Sequence, residues 1–375
     1  MIKLTPFVLL GLLAAKSFAQ TSNTTATNGD HPAFNPQIKL HGLVQARYET
    51  SLTDSIDASG AFNPDPIKSN IRVRRAELRA DMSLNDHWSG VIRIQFPELK
   101  GTYPGRAIEL AYFNYKHSDE LEVRGGVFKA PFEWDEMSSH AELPMIDHGP
   151  TDRLFQTGYY NSYQPGLMAT GTFMKSTTTP LTYYAAVITG GERGGNFDNT
   201  YGKNPVGRIE YTPVKGLRLA INGEIAPISK NVTGHAYEGD IVLKEKLTDL
   251  MNIWIETEYV SGTNIVTYKA DTSDSKELGN FKMDGYYALG LLRFELNKPW
   301  CKTLEVGGRY EFTDPNSTIS DNAYTTITGN VGFVILPDND ARLQLNLVQT
   351  NFQKEMPGTA SKNNLAFVAQ FQIKM

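Results

Sequence analysis

Basic side chains at regular intervals are the residues of this sequence best suited to chemistry, and that chemistry is the binding of anions. Guanidinium and ammonium groups bind phosphate or carboxylate through charge-assisted hydrogen bonds. The candidate solute-binding residues are Lys129, Arg75, Arg79, Arg47, Arg93, Arg124 and Arg153. A cationic ring built from such residues would select anions. The alternative is that these arginines pair with nearby carboxylates and only order the surrounding structure.

Groups that could catalyse a reaction or hold a metal are sparse. The sequence has no GxSxG, P-loop or HExxH motif. His140 and His148 are too far apart for the spacing of about two to five residues that is typical of ligand pairs. Glu133, Asp135 and Glu136 could act as acid and base, but no nucleophile or second partner accompanies them. We therefore expect no enzyme, no cofactor and no metal.

The N-terminal stretch MIKLTPFVLLGLLAAKSFAQ has Lys3 before an apolar run and small residues before Gln20. This pattern is typical of a secretory signal cleaved after Ala19. The apolar run is shorter than the roughly 20 residues of a membrane-spanning helix. We expect residues 1–19 to be a signal peptide and residues 20–37, rich in Thr and Asn, to form a mobile N-terminal segment.

Charge and cysteine content exclude further classes. The formal net charge is −5, which is opposite to that of a nucleic-acid binder, so we expect no nucleic-acid partner. Cys301 is the only cysteine, so an exported chain has to hold its shape without an internal disulfide.

From Ile38 to the C-terminus the sequence reads as strand, turn, strand. In NLAFVAQFQIKM, apolar side chains at Leu365, Phe367 and Phe371 alternate with polar ones such as Gln370 and Gln372. The same two-residue period appears in ARLQLNLVQT, LEVGGRYEF, IKLHGLVQARYET, RRAELRADM, WSGVIRIQF, VGRIEYTP, LRLAINGEI and MNIWIETEY. About fifteen segments of this kind are present, with a further one near Asp240 to Lys244.

Two architectures use this period. A soluble sandwich or propeller would cover many strands on both faces or repeat at a fixed interval, and no such repeat is found. A closed membrane barrel has one lipid-facing apolar side and one wet polar side, with aromatic residues near the strand ends. Aromatic residues in such positions are Tyr48, Trp88, Phe96, Tyr112, Tyr211, Tyr259, Tyr310, Phe312 and Phe352. The fold class predicted is all-β, a single transmembrane antiparallel β-barrel of about 16 strands over residues 38–375.

The polar face of such a barrel would line its interior. Unpaired charge is costly to bury, so this interior would contain water, and sixteen strands are wide enough for an aqueous channel. Residues 129–153 contain three prolines including Pro131, six acidic residues and only Lys129 and Arg153 as fixed cations, and they do not continue the strand pattern. We predict that this segment folds inward as a constriction loop; the alternative is an ordinary external loop.

Several segments carry a resemblance to a known family. GGVFKAPFEWDEMSS, the arginine-rich RVRRAELRADMS, AYFNY, RIEYTPVKGLRL and VGFVILPDNDARLQLNLVQTNF are similar, in this order, to the phosphate-selective porin O and P family of bacterial outer membranes. The resemblance implies a sixteen-stranded barrel, usually trimeric, with an inward loop and with arginines and lysines that guide phosphate or polyphosphate. It favours Lys129 and either Arg74 or Arg75; alternation predicts that Arg75 points inward and Arg74 outward.

The resulting hypothesis is an outer-membrane porin for passive diffusion of small hydrophilic solutes, with a preference for anions. Its expected partners are outer-membrane lipid, small anionic solutes and two further copies in a homotrimer. The acidic excess and the terminal Met375, where such barrels commonly end in an aromatic residue, leave alternatives open. These are a general or cation-preferring porin, an enzymatic barrel, and an exported adhesion or binding protein.

Overall fold

The computed structural model describes residues 36–101, 104–160, 162–191, 201–273 and 276–375. The predicted signal peptide, and the predicted mobile segment up to residue 35, lie outside the described residues.

Sixteen antiparallel strands form one closed barrel in which each strand pairs with its neighbours in sequence and β1 pairs with β16. The predicted fold class is therefore confirmed. The strands are β1 Gln37–Ser51, β2 Ser69–Ser83, β3 Trp88–Gln95, β4 Ile108–Lys116, β5 Glu122–Lys129, β6 Tyr163–Phe173, β7 Leu181–Ile188, β8 Asn204–Val214, β9 Leu217–Ser229, β10 Val232–Thr248, β11 Met251–Thr263, β12 Lys282–Lys298, β13 Cys301–Asp314, β14 Tyr324–Leu336, β15 Ala341–Phe352 and β16 Asn364–Lys374. The segment near Asp240, whose status as a strand was uncertain from sequence, is part of β10.

The two-residue period of the strands separates an inner face from an outer face. In β1, Gln45 and Arg47 are buried inside, whereas Val44 and Tyr48 point outward and are exposed. Outward apolar side chains remain exposed in the isolated chain because lipid is their natural surrounding. Tyr112 differs from the sequence expectation, because it packs against a buried apolar cluster inside the barrel rather than lying on the lipid face.

The two rims of the barrel differ in the length of their connections. Tight turns such as 215–216 and 299–300 lie at the rim that holds both ends of the barrel, and longer segments such as 52–68 and 130–162 lie at the other. In outer-membrane barrels the short turns face the periplasm and the long loops face outward.

Helices are few and short. They are α1 Trp134–Met137, α2 Pro150–Thr157 and α3 Ile265–Ala270, with 3-10 turns at Phe96–Lys100, Pro104–Ala107, Leu278–Asn280 and Pro337–Asn339. None of the helices in the described part of the chain is long and apolar enough to cross a membrane.

Gly126 sits where a side chain has no room. Its φ of +127° is one that residues with a side chain rarely adopt, and an added Cβ would lie 2.2 Å from the Ala111 carbonyl oxygen on the neighbouring strand β4. Both obstacles are in the backbone, so neither can be relieved by rotating a side chain.

We therefore expect Gly126→Ala to lower the free energy of unfolding of the barrel by about 1–3 kcal/mol. The measurement is the temperature at which folded, fast-migrating protein converts to the unfolded form on gels. Gly207→Ala is the matched control, because an added Cβ there meets nothing within 4 Å. Equal conversion temperatures for the two variants would contradict the assigned conformation of Gly126.

Candidate functional site: the inward loop and its arginine cluster

The long connection after β5, which contains residues 129–153, contacts inner-face residues of the barrel wall. An apolar cluster holds one side of this connection to strands β5 to β12. The buried members of this cluster are Phe128, Ala130, Phe132, Phe155, Tyr160, Met168, Ala186, Ile188, Val206, Ala226, Ile228, Ala236, Val260, Ile265 and Met283. This part of the interior is a packed core, contrary to the expectation of a uniformly wet lumen, because the loop supplies apolar partners to the inner face.

Polar contacts hold the other side of the loop to more distant strands. Asp135 accepts a hydrogen bond from Arg309 of β13 at 2.9 Å, and the Ile146 amide donates to Asn346 of β15 at 2.9 Å. Arg342 of β15 donates to the Leu143 carbonyl at 2.8 Å. Inner-face residues from well-separated strands thus bind one loop, which crosses the interior.

Lys129 stands where β5 ends and the loop begins. Its ammonium group donates to the main-chain carbonyls of Glu136 and Ser138, the latter at 2.8 Å. Two carbonyl contacts from one ammonium close the first turn of the loop back onto the strand. In this conformation Lys129 acts on the loop backbone and lines neither of the two cavities described below.

Three arginines converge on one carboxylate at the loop. Arg47 of β1 contacts Asp147 at 2.5 Å, and Arg74 and Arg75 of β2 contact its other oxygen at 3.5 and 3.6 Å. Burial opposes the charge of Asp147, but Arg74 and Arg47 outweigh it and hold the pKa of this carboxyl well below its usual range. One negative and three positive charges leave a local excess of positive charge.

Arg74 is a correction to the sequence analysis, which directed it outward. The pairing of β1 with β2 shifts between Gln45 and Ala46, so that Gln45 pairs with Arg75 and Ala46 with Val73. Arg74 is the extra residue of this β-bulge, and a bulge redirects side chains that strict alternation would place on the other face. Arg74 and Arg75 therefore both reach Asp147.

A second ionic network lies deeper in the barrel. Arg93 contacts Glu109 at 2.9 Å and Glu77 at 3.8 Å, and Glu77 contacts Nδ1 of His140 on the loop at 2.7 Å. The Arg93 guanidinium also donates to the hydroxyl of Tyr163. This arrangement joins strands β2, β3 and β4 to the loop.

Two cavities are lined by members of that network. The first, of about 210 Å³, opens towards the long loops and is lined by Arg74 and Arg75 of the arginine cluster but not by Arg47; its lining is Arg74, Arg75, Gln95, Glu98, Arg106, Glu109, Glu136, His140, Asp147, His148, Asp152, Arg153, Gln156 and Tyr163. The second, of about 480 Å³, opens at the short-turn rim beside Asp338 and Lys374. Glu109 and His140 line the first cavity, and their partners Arg93 and Glu77 line the second.

The remaining candidates from the sequence occupy different surroundings. Arg153 is on α2 and lines the first cavity with Arg75. Arg79 lines the second cavity and pairs with Asp81 at 2.6 Å. Arg124 pairs with Glu122 at 3.3 Å and lines neither cavity. The structure thus brings together Arg47, Arg75 and Arg153, and separates Arg79 and Arg124 from them.

Sequence reasoning missed residues that line the first cavity from segments outside the strands. Arg106 belongs to a 3-10 turn between β3 and β4, and Asp147 and His148 belong to the loop. An acidic loop was recognised, but no sequence pattern indicates which strand arginines its carboxylates meet.

The family comparison agrees with this architecture. The model for the family described as phosphate-selective porin O and P matches residues 53–223, which span β2 to β8, the loop, and Arg74 and Arg75 of β2. The chain is an outer-membrane porin. The match confirms the resemblance inferred from the sequence, and with the closed barrel it supports a channel for small solutes in the bacterial outer membrane.

Solved structures show the same fold at low sequence identity. The porin shares 13% identity with the outer membrane channel DcaP of Acinetobacter baumannii, over 90% of this chain and 97% of that one, with a TM-score of 0.56. For the anion-selective porin from Comamonas acidovorans the identity is 11%, the coverage is 91% and 100%, and the TM-score is 0.57. For OmpT of Vibrio cholerae, in its trimer form, the identity is 10%, the coverage is 91% of this chain and 99% of that one, and the TM-score is 0.56. No curated protein sequence matches significantly.

Lys129→Met tests the contacts that close the loop. Removing the two hydrogen bonds of a charged donor is expected to weaken the attachment of the loop by about 1.5–3 kcal/mol per bond. A less restrained loop fluctuates, so single-channel recordings in planar bilayers should show noisier currents and a higher mean conductance than those of the wild-type porin.

Lys354→Met provides the control for Lys129→Met, because Lys354 is exposed in the connection between β15 and β16. It should leave conductance and noise unchanged. If Lys129→Met instead altered ion selectivity with unchanged conductance and noise, Lys129 would belong to the selectivity filter and not to the loop anchor.

Proposed function

We propose that this porin is a passive channel with a preference for small anions, with phosphate or polyphosphate as the solute class. The observation that carries this proposal is the convergence of Arg47, Arg74 and Arg75 on the single carboxylate of Asp147 beside the first cavity. An anion entering from the long-loop side meets more guanidinium charge than Asp147 can neutralise.

The geometry of this cluster suits transient binding. Arg74 is 3.5 Å and Arg75 3.6 Å from Asp147, longer than a well-formed ion pair, so an arriving phosphate oxygen can compete for them. Arg47 is held more closely, at 2.5 Å, and also donates to Gln370. Binding that attracts an ion and still releases it is what conduction requires.

The proposed route leads from the first cavity, past the Arg93 and Glu109 pair, to the second cavity and the short-turn rim. Flow along it would follow the concentration gradient of the solute. Arg79 and Lys374 line the wider second cavity together with Asp81, Asp338 and Asp340, so this mouth has no excess of positive charge. The lining of neither cavity has a net positive charge, so selection of anions is assigned to the local cluster of Arg47, Arg74 and Arg75 around Asp147.

We further propose that the porin assembles as a homotrimer in the outer membrane. The family resemblance and the trimeric form of the structurally similar Vibrio cholerae OmpT support this assembly. Native mass spectrometry of the detergent-solubilised porin should give three chains per particle; a monomer as the sole species would contradict the proposal.

The zero-current potential under a salt gradient tests the anion preference. The zero-current potential of the wild-type porin should have the sign that indicates higher permeability for anions than for cations, and added phosphate should reduce the current. A unit charge about 6 Å from a permeating ion in water-like surroundings changes its energy by about 0.7 kcal/mol, which is about threefold in relative permeability. We expect Arg74→Gln to lower the anion-to-cation permeability ratio by about this factor.

Two further variants make the test specific. Asp147→Asn removes the one negative charge of the cluster and should raise the ratio. Arg124→Gln should leave the ratio unchanged, because Arg124 lines neither cavity. A wild-type potential on the cation side, or a lower ratio in Asp147→Asn, would overturn the proposed preference.

A further inference from the structure

The lining of the first cavity also contains a mixed group of metal-ligand side chains. Glu136 of α1, His148 and Asp152 of α2 each present one ligand atom, and these atoms all lie within 4.8 Å of one another. A Zn²⁺ ion with bonds of about 2.0–2.2 Å spans ligand atoms about 3–4 Å apart, so small side-chain rotations close this set. One imidazole and two carboxylates suit zinc and similar transition-metal cations better than Mg²⁺ or Ca²⁺, which prefer oxygen ligands only.

Two members of this group are buried without hydrogen-bond partners. Glu136 is 2% exposed, and its Oε1 has no hydrogen-bond partner among the described residues. His148 has 9% of its side-chain surface exposed, and neither of its ring nitrogens has a hydrogen-bond partner in the same set. Buried polar atoms are nearly always hydrogen-bonded, so each exception calls for a reason, and an ion is one of the standard reasons.

The nearby cations are engaged elsewhere. Arg309 is bound to Asp135 at 2.9 Å, and the ammonium of Lys129 is bound to main-chain carbonyls. Asp135 faces Nδ1 of His148 at 3.6 Å, which is the position of a carboxylate that orients a metal-binding imidazole. The group therefore has a carboxylate that can orient its imidazole, and neither of these cations donates a hydrogen bond to Oε1 of Glu136.

A second group of similar composition shows the contrast. Glu77, Glu109 and His140 also have ligand atoms within 4.8 Å of one another. Here Arg93 contacts both carboxylates, at 3.8 and 2.9 Å, and His140 is bonded to Glu77 at 2.7 Å. A guanidinium already provides the positive charge at this position, so no metal ion is needed there.

We propose that Glu136, His148 and Asp152 bind one divalent transition-metal cation per chain, represented experimentally by Zn²⁺. Glu136 is at the start of the loop, whereas His148 and Asp152 are near its end. A bound cation would join these two parts directly. All three side chains line the first cavity, so the ion can enter from the long-loop side.

Metal binding would also change the charge of the cavity, an effect that rests on the proposed anion channel. The residues lining the first cavity include four arginines and five carboxylates. A divalent cation converts this small excess of negative charge into an excess of positive charge in the cavity that Arg74 and Arg75 line. The ion should therefore increase the preference of the channel for anions.

Isothermal titration calorimetry tests the site. ZnCl₂ is titrated into the folded porin in detergent, after the porin has been treated with EDTA and dialysed. Wild-type protein should show one saturable site per chain. His148→Gln and Glu136→Gln should each weaken zinc binding by more than about tenfold, since they remove a direct ligand. His148→Cys, which replaces one zinc ligand by another, should retain binding.

The control variant is His117→Gln, because His117 is exposed in the turn between β4 and β5. It should bind zinc as the wild type does. Heat-modifiable gel migration verifies that each variant is folded before titration. Absence of saturable binding by the wild-type porin, or equal affinity in wild type, His148→Gln and Glu136→Gln, would overturn the site.

A bilayer measurement separates this site from the proposed anion preference. Micromolar ZnCl₂ should shift the wild-type zero-current potential towards the anion side, EDTA should reverse the shift, and His148→Gln should not show it. A cation-selective porin that still binds zinc by titration would contradict the proposed function and leave the metal site intact. An anion-selective porin that does not bind zinc would contradict the metal site and leave the proposed function intact.

Discussion

The pairing of β1 with β16 is the interaction on which the rest of this structure depends. Hydrocarbon offers no hydrogen bonds, so a sheet can lie in it only if every strand edge is paired, and the β1–β16 ladder provides the last pair. Closure gives each strand a lipid side and an inner side. The two-residue alternation of side chains then decides which residues can reach a solute.

A ring of sixteen strands is too wide to be filled by its own inner side chains, and the loop after β5 occupies part of that space. It does so in two ways. On the β5 to β12 side, Phe132, Phe155 and Tyr160 pack with apolar inner-face residues. On the β13 to β2 side, charges meet opposite charges, as in Asp135 with Arg309 and Asp147 with Arg47. The space left beside the loop is lined by charged side chains that the opposite charges around them do not fully neutralise.

That imbalance has opposite signs on the two walls of the first cavity. The barrel wall carries Arg47, Arg74 and Arg75 around one carboxylate, whereas the loop carries Glu136 and Asp152 near a histidine. Charges of both signs that share one narrow aqueous space create a strong local field there, because low-dielectric surroundings strengthen it. The anion preference and the cation site proposed above both follow from this arrangement. The arginines of the barrel wall attract anions, and the carboxylates of the loop attract a cation.

The sequence alone determined the barrel, because the alternation that specifies each strand is local. In β16, Phe371 and Gln372 are assigned to opposite faces by their adjacency alone. The same reasoning identified the inward Arg47, Arg75 and Arg93, and the interruption of the strand pattern at Pro131 indicated a loop. Only the tertiary structure decided which of these charges meet. The bulge that turns Arg74 inward arises from the register of β1 against β2, and the meeting of Asp147 with Arg47 joins residues 100 positions apart. Contacts of this kind depend on the path of the loop across the closed barrel, and no local period of the sequence encodes that path.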